Sequence, residues 1–355
     1  MPRKSVPTIQ DVAREAGVSQ STVSSVLNHR FNQTSPETRD RILEVARRLD
    51  YHPNAMAAAL RRRSTRTIGV VITNILNPFY TAVVRGVQDE ARRAGYTTIL
   101  GNTDDDPEQE RQILLAFRAK QVDGMVVVTT GSRNDTIQQV SASGVPVVLV
   151  DTVDPSLKLD TIRVDNEAAS VNAVNYLLDL GHTRIAIVSG LTTGVPSRAG
   201  RLTGFLKAQS ARGIEVPKGY RQILSTSVEN GRLAANRLID LPHPPTAVVV
   251  ANTFLAIGAL QAFHQRGLRI PQDISFLMFD DPDWTTLYEV GITTVSQPVH
   301  DIGVRAFQLI EARIKRKAAA APPQEVIFPT TLIVRQSCAP PPLWSKPPGL
   351  PGRHS

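Results

Sequence analysis

Apolar residues recur every three to four positions through the first fifty residues, and then the texture of the chain changes. Ile9, Val12, Ala13 and Ala16 form one stripe, Val23, Val26 and Leu27 a second, and Ile42, Val45, Ala46 and Leu49 a third. That spacing predicts three short amphipathic helices. Thr8 stands at an N-cap position with Asp11 three residues on, Gly17 ends the first helix, Ser19 caps the second, and Ser35-Pro36-Glu37 opens the third. The stretch TIQDVAREAGVSQSTVSSVLN (8–28) is therefore a helical hairpin with a tight glycine turn. Opposite its buried face, the second helix presents Gln20, Ser21, Thr22, Ser24, Ser25 and Asn28. Short hydroxyl and amide side chains suit a DNA major groove, where they meet base edges and phosphate oxygens. A helical hairpin without a nucleic-acid role has the same periodicity.

Tyr51-His52-Pro53-Asn54 breaks the third helix. The segment AMAAAL (55–60) has high helix propensity but is too short to be stable alone, and a basic linker of Arg61, Arg62, Arg63 and Arg66 follows. From Thr67 onward strands alternate with helices. The strand-like runs are IGVVIT (68–73), TTILGN (97–102), GMVVVTT (124–130), VPVVLVD (145–151), RIAIVSG (184–190), TAVVVAN (246–252) and ISFLMFD (274–280). Helices begin near Pro78, Pro107, Arg133, Asn166, Arg198, Val228, Phe254 and Val299. Near-continuous apolar strands between helices indicate parallel sheets covered on both faces, hence an α/β fold. The pattern is too long for one such domain, and a break near 160–166 divides it. The helix at 299–317 and strands near 325–335 return after the second unit.

Composition sharpens this outline. The chain has 355 residues, 41% hydrophobic and 20% charged, with a net charge of +8. Residues 1–66 hold 12 Lys/Arg against 6 Asp/Glu and so carry +6, leaving +2 for the remainder. A basic head on a nearly neutral body fits a nucleic-acid-binding module joined to something else. A basic membrane-surface helix is disfavoured, because acids are interleaved and no large apolar face accompanies the cations. The single Cys338 leaves no internal disulfide and no cysteine-cluster metal site. The beginning MPRKSVPTIQD lacks an apolar core of signal length, and no run reaches membrane-spanning length. The expected localisation is cytoplasmic.

Several motifs in fixed order resemble the LacI/GalR family of transcriptional regulators over residues 8–337: the hairpin above, SPETRDRILEVARRLDYHPN, Ala59-Leu60 with RTIGVV, NPFY (77–80), RLTGF (201–205), Ala251-Asn252, GLRIPQDISF (267–276), FDD (279–281) and TTVSQP (293–298). The resemblance implies a helix-turn-helix headpiece (1–52), a hinge helix and linker (53–66), and a two-lobed core like periplasmic sugar-binding proteins (67–337). Lobe 1 would comprise about 67–163 and 297–322, lobe 2 about 164–293 and 325–337, with a disordered proline-rich tail (338–355). It implies a homodimer on a near-palindromic double-stranded operator, controlled by a small effector and requiring no cofactor or metal.

By the same resemblance Gln20 and Ser21 choose operator bases, while Thr22, Ser24 and Asn28 contact the backbone. Thr8, Ser19, Ser25, His29, Asn54 and Ala57 complete the DNA-contacting set, and Leu60 wedges into the minor groove. Ser25 stands where an arginine is usual, so one guanine-reading fork is missing. The effector residues implied are Arg201, Asn252, Asp280 and Gln297, with Asp151, Phe79 and Tyr80 beside them. Asp151, Asn252 and Asp280 end strand-like runs, where ligand sites of open α/β sheets lie. Thr253, Met278 and Thr226 depart from the family pattern. A sugar effector suits two carboxylates and an amide, and Arg201 with Arg163 also permits a sugar acid or phosphate.

No catalytic constellation competes. The histidines are scattered without metal-ligand spacing. Gly190-x-x-x-Gly194 lacks the lysine and hydroxyl of a phosphate loop, and Asn74–Pro78 has no glycine fingerprint. A transport-associated binding protein accounts for 67–337 but not for the basic head.

Overall fold

The computed structural model describes residues 7–27, 34–51, 64–131, 134–152, 154, 156–315 and 322–342. The expectations for Asn28, His29, Asn54, Ala57, Leu60, the short helix at 55–60 and the tail beyond 342 lie outside these residues.

The amino-terminal unit holds α1 (Ile9–Ala16), α2 (Gln20–Leu27) and α3 (Pro36–Arg48). Thr8 and Asp11 form a reciprocal capping box, and Gly17 ends α1 at φ 65, a left-handed conformation that costs glycine little. Ser35 accepts from the Thr38 amide at 3.3 Å, with Pro36 following. Val12, Ala13, Ala16, Val23, Val26, Ile42, Val45 and Ala46 close a small core, the inward stripes of three helices that are each too short to be stable alone.

The second unit begins at Arg66. Its first lobe contains β1 (Thr67–Ile72), α4 (Pro78–Arg93), β2 (Thr97–Asn102), α5 (Pro107–Ala119), β3 (Gly124–Val127), α6 (Asn134–Ala142), β4 (Val147–Val150) and β5 (Asp160–Val164). The second lobe contains α7 (Asn166–Asp179), β6 (Ile185–Gly190), α8 (Pro196–Ala211), β7 (Arg221–Leu224), α9 (Val228–Ile239), β8 (Ala247–Val250), α10 (Thr253–Gln265), β9 (Ser275–Phe279) and β10 (Thr293–Ser296). The chain then returns through α11 (Val299–Lys315) and β11 (Glu325–Phe328) to the first sheet, and through β12 (Thr331–Ile333) to the second. The sheets run β11-β5-β4-β3-β1-β2, all parallel, and β12-β10-β9-β8-β6-β7, with β12 antiparallel. Every residue of β3, β4, β8 and β9 is buried, as sheets covered by helices on both faces require.

Two expectations are corrected and one is refined. The division expected near 160–166 falls there, but its first residues form a strand, β5, paired with β4, and the chain leaves the first lobe immediately after it. Residues 325–328, expected in the second lobe, extend the first sheet beside β5. Asp160 explains the pairing: it accepts from Arg313 Nε at 2.7 Å, Arg313 Nη2 at 2.6 Å and the Gln324 amide at 2.8 Å, fastening the incoming strand. The tail expected to be disordered from 338 is docked through Pro342. Ala339 N–H donates to Ser275 Oγ at 3.1 Å, and its carbonyl lies 2.8 Å from His182 Nε2. Burial pushes the His182 pKa down, against the Ala339 hydrogen bond.

Candidate functional site

Two polar surfaces have functional character, one in each unit. In the headpiece, Val23 and Val26 bury one side of α2, leaving Gln20 and Ser21 exposed and Thr22, Ser24 and Ser25 half-buried. Ser19 Oγ lies 2.7 Å from Ser21 Oγ and 2.8 Å from Thr22 Oγ1, and accepts from the Thr22 amide at 3.2 Å. The start of α2 is thus a chain of hydroxyls over its first amides, with no acidic residue in the first turn, a surface that tolerates an anion. Thr8 is occupied as the cap of α1: its hydroxyl donates to Asp11 Oδ2 at 2.7 Å and holds that carboxyl below its ordinary pKa.

In the core, the carboxyl ends of the strands from both sheets meet across a cleft. Arg201, on α8, is buried; its Nε donates to Asn166 Oδ1 at 2.8 Å and its Nη1 to the Ala251 carbonyl at 2.6 Å. The guanidinium also lies 4.3 Å over the Phe279 ring. These contacts fix the planar fork without using all five of its N–H groups. Asp280, at φ 72 after β9, accepts from Gln297 Nε2 at 2.6 Å and from Thr253 Oγ1 at 3.4 Å. Asp151, at φ 61 after β4, is bonded by the Ser197 hydroxyl and faces Arg201 and Arg198. Burial nevertheless raises its carboxyl pKa, and Asp105, after β2, is raised for the same reason despite Arg198. The Tyr80 hydroxyl stands among Asp151, Thr73, Arg198 and Asp105, and burial followed by the Asp151 charge pushes its pKa up to about 12.

Four buried polar atoms here, Thr130 Oγ1, Ser189 Oγ, Thr226 Oγ1 and Gln297 Oε1, have no hydrogen-bond partner among the described residues. Each such group costs about 1–3 kcal/mol. Their gathering at strand ends in both lobes is the arrangement expected of a site that completes its bonds with a ligand.

The structure brings Tyr80, Asp151, Arg201, Asp280 and Gln297 together. Phe79 is instead a core residue of the first lobe, stacked edge-to-face on Tyr80 at 5.2 Å. The Asn252 side chain caps α10 instead, its Oδ1 accepting from the Phe254 amide at 2.9 Å, while the preceding Ala251 backbone carbonyl holds Arg201. Arg163, considered as a second cation for an anionic ligand, is paired with Glu325 at 2.5 Å between β5 and β11. Met278 lies in the second lobe's core, so this departure does not touch the cleft, whereas Thr253 is bonded to Asp280 within it. Sequence reasoning missed Asp105, Ser197 and Arg198. Asp105 follows β2 with φ 58, but nothing in the run Asp104-Asp105-Asp106 marks which carboxylate faces Arg198 and Thr73.

Among the described residues, no group of three or more His, Cys, Asp or Glu is placed to hold a metal. No described helix is long and apolar enough to cross a membrane.

Comparison with known proteins matches both units of the chain. Residues 8–54 match the bacterial regulatory proteins of the lacI family, and residues 65–336 match the periplasmic binding proteins and sugar binding domain of the LacI family. The chain is 35% identical over 303 residues to catabolite control protein A of Priestia megaterium, spanning 85% of this chain and 91% of that protein. It is 33% identical over 308 residues to the transcriptional repressor CytR of Escherichia coli K12, spanning 87% and 90%. A solved transcriptional regulator CelR–cellobiose complex superposes with a TM-score of 0.70 at 26% identity, over 93% of this chain and 99% of that one. The Lac repressor dimer bound to operator and the anti-inducer ONPF shares the fold, with a TM-score of 0.83 at 24% identity over 94% and 100%.

Proposed function

The chain belongs to the LacI family of DNA-binding transcriptional regulators, and on that premise we propose that it is a cytoplasmic, homodimeric repressor of carbohydrate or sugar-derivative catabolic genes. A dimer presents two headpieces to a near-palindromic operator. In each, Gln20 and Ser21 read bases, and Ser19, Thr22, Ser24 and Ser25 approach the phosphates. Family relatives named as regulators acting on DNA support the cytoplasmic assignment.

The observation that carries the effector reading is the cluster of unpartnered buried oxygens at the strand ends of both lobes. With Asp105, Asp151 and Asp280 the cleft is rich in acceptors, and Arg198, Arg201 and Tyr80 supply donors. Three carboxylates against two guanidiniums disfavour an anion, and hydroxyl groups both donate and accept, so the ligand class is a neutral polyhydroxylated molecule. Arg201, Asp151, Asp280 and Gln297 bind it, and Tyr80 closes one side. Such a ligand acts on operator affinity only through different affinities for DNA-competent and DNA-incompetent states.

The test is fluorescence anisotropy of the purified chain on DNA from its own promoter region, repeated with a panel of neutral sugars and polyols and with the corresponding sugar acids. Nanomolar, salt-sensitive operator binding that shifts with a neutral member is expected. Loss of the reading follows if no panel member changes operator affinity, or if only the acids do.

A further inference from the structure

At the mouth of the cleft two glycines from opposite lobes touch. Gly131 follows β3 at φ 80, and Gly194 lies between β6 and α8 at φ 74. A Cβ on Gly131 would fall 1.9 Å from the Gly194 carbonyl oxygen and 3.0 Å from its carbonyl carbon, far inside van der Waals contact. The converse is different: a Cβ on Gly194 meets nothing nearer than 3.9 Å, the carbonyl oxygens of Gly131 and Thr130. Position 194 is constrained only by its backbone angle. Position 131 is constrained by that and by the opposite lobe.

The segment carrying Gly131 is held from behind. Glu110, on α5, is fully buried, and its carboxylate accepts from Thr129 Oγ1 at 2.7 Å and from the Thr130 amide at 2.6 Å. The Gly131 amide in turn donates to Thr129 Oγ1 at 3.0 Å. The facing turn is closed by a bond from the Val195 amide to the Thr192 carbonyl at 3.1 Å. Arg198, just beyond that turn, faces Asp105 and Asp151 of the first lobe, so charge also draws the lobes together.

We propose that Gly131, positioned by Glu110, is the seat on which the two lobes rest, so that the backbone of Thr129–Gly131 against Gly194 sets how far the cleft closes. The inference builds on the effector reading of the cleft, but its geometry does not depend on the identity of any ligand. Both residues are positioning residues. A side chain at 131 props the lobes apart, and loosening Glu110 lets the seat drift.

Full-length chains carrying Gly131→Ala or Gly144→Ala are compared. Gly144 is the matched control, a first-lobe glycine at φ 91 whose Cβ would meet nothing within 4 Å. Gly131→Ala should give a larger radius of gyration by small-angle X-ray scattering. It should also give about tenfold faster amide exchange at residues 191–195, which belong to the other lobe. Gly131→Ala indistinguishable from Gly144→Ala in both measurements overturns the proposal. Should Gly131→Ala fail to fold, Glu110→Gln decides. Faster exchange at 129–131 and 191–195 together upholds the seat, and faster exchange at 129–131 alone overturns it. Neither measurement uses DNA or effector, so a failed seat leaves the effector reading standing, and a silent sugar panel leaves the seat standing.

Discussion

The two polar surfaces of this regulator are built on opposite principles. The face of α2 is uncharged, open to solvent and bonded within itself: Ser19, Ser21 and Thr22 share hydroxyl contacts at 2.7–2.8 Å. Gln20 and Ser21 stay exposed to water until DNA arrives. Its binding energy must come largely from the cations spread through residues 1–66, which act at long range and are screened by salt. The cleft concentrates its charge indoors. Asp151 is raised by burial, Arg201 is locked between Asn166 and Ala251, and four oxygens lack partners among the described residues. Such a site pays in folding stability for its selectivity, and its sensitivity is to protons rather than to salt. The contrast teaches that one chain can answer two signals through different physics.

The largest test of that contrast is ionic. If six or more phosphates are neutralised, operator affinity should fall roughly 1000-fold between 50 and 200 mM salt, a log–log slope near −5 or steeper. Effector affinity should change less than about threefold over the same range, since buried groups are little screened. Equal salt dependence by anisotropy and calorimetry would erase the distinction.

Next in size is Arg201→Ala. Losing the fork, its stacking on Phe279 and its charge beside Asp151 should weaken the effector response at least about 100-fold, near 2.7 kcal/mol. Operator affinity without effector should stay within about twofold, because the change lies entirely in the core. A wild-type effector midpoint on titration rejects the cleft assignment.

Gln20→Ala sharpens the other side. It should cost about 1–3 kcal/mol on the preferred operator and relax selectivity at one base pair while leaving the salt slope unchanged. A changed slope with unchanged selectivity would make Gln20 a phosphate contact instead.

Asp151→Asn has the smallest expected effect and probes the proton. A folded-state carboxyl with a raised pKa binds its proton more tightly than the unfolded chain does. The wild type is therefore favoured below the ordinary carboxylate range and loses stability as pH rises through the raised value. Asparagine tolerates the left-handed backbone at this position, so the variant should be about 1 kcal/mol more stable at neutral pH and flatter with pH. Denaturant titrations from pH 4 to 8 measure both, and a variant less stable at pH 7 contradicts the account.

What the sequence disclosed follows from how local each signal is. Caps at Thr8, Ser19 and Ser35 and the apolar stripes fix the headpiece helices within a few residues, and apolar runs such as VVLV and AVVV announce fully buried strands. DTIRV at 160–164 does not announce a strand, because Thr161 and Arg163 interrupt its apolar character, although β4 and β11 cover it on both sides. The lobe of residues 325–328 is not legible locally, because sheet membership is decided by pairing with residues far away in sequence, here through Asp160 and Arg313. In the cleft, residues at the ends of strong strands, Asp151 and Asp280, were legible. Asp105 and Arg198 were not, because only the assembled lobes show which member of an acidic run, or which helix face, turns toward the opening.

The docked segment around Ala339 has a practical consequence. Its anchors, His182, Thr246 and Ser275, stand at the amino ends of β6, β8 and β9, whereas the cleft opens at the carboxyl ends of the same strands. The chain thus leaves the second lobe on the side turned away from its ligand. A fluorescent reporter or a surface tether joined after Pro342 would be mechanically remote from ligand entry, which makes that end the natural handle for turning this regulator into an immobilised sensor.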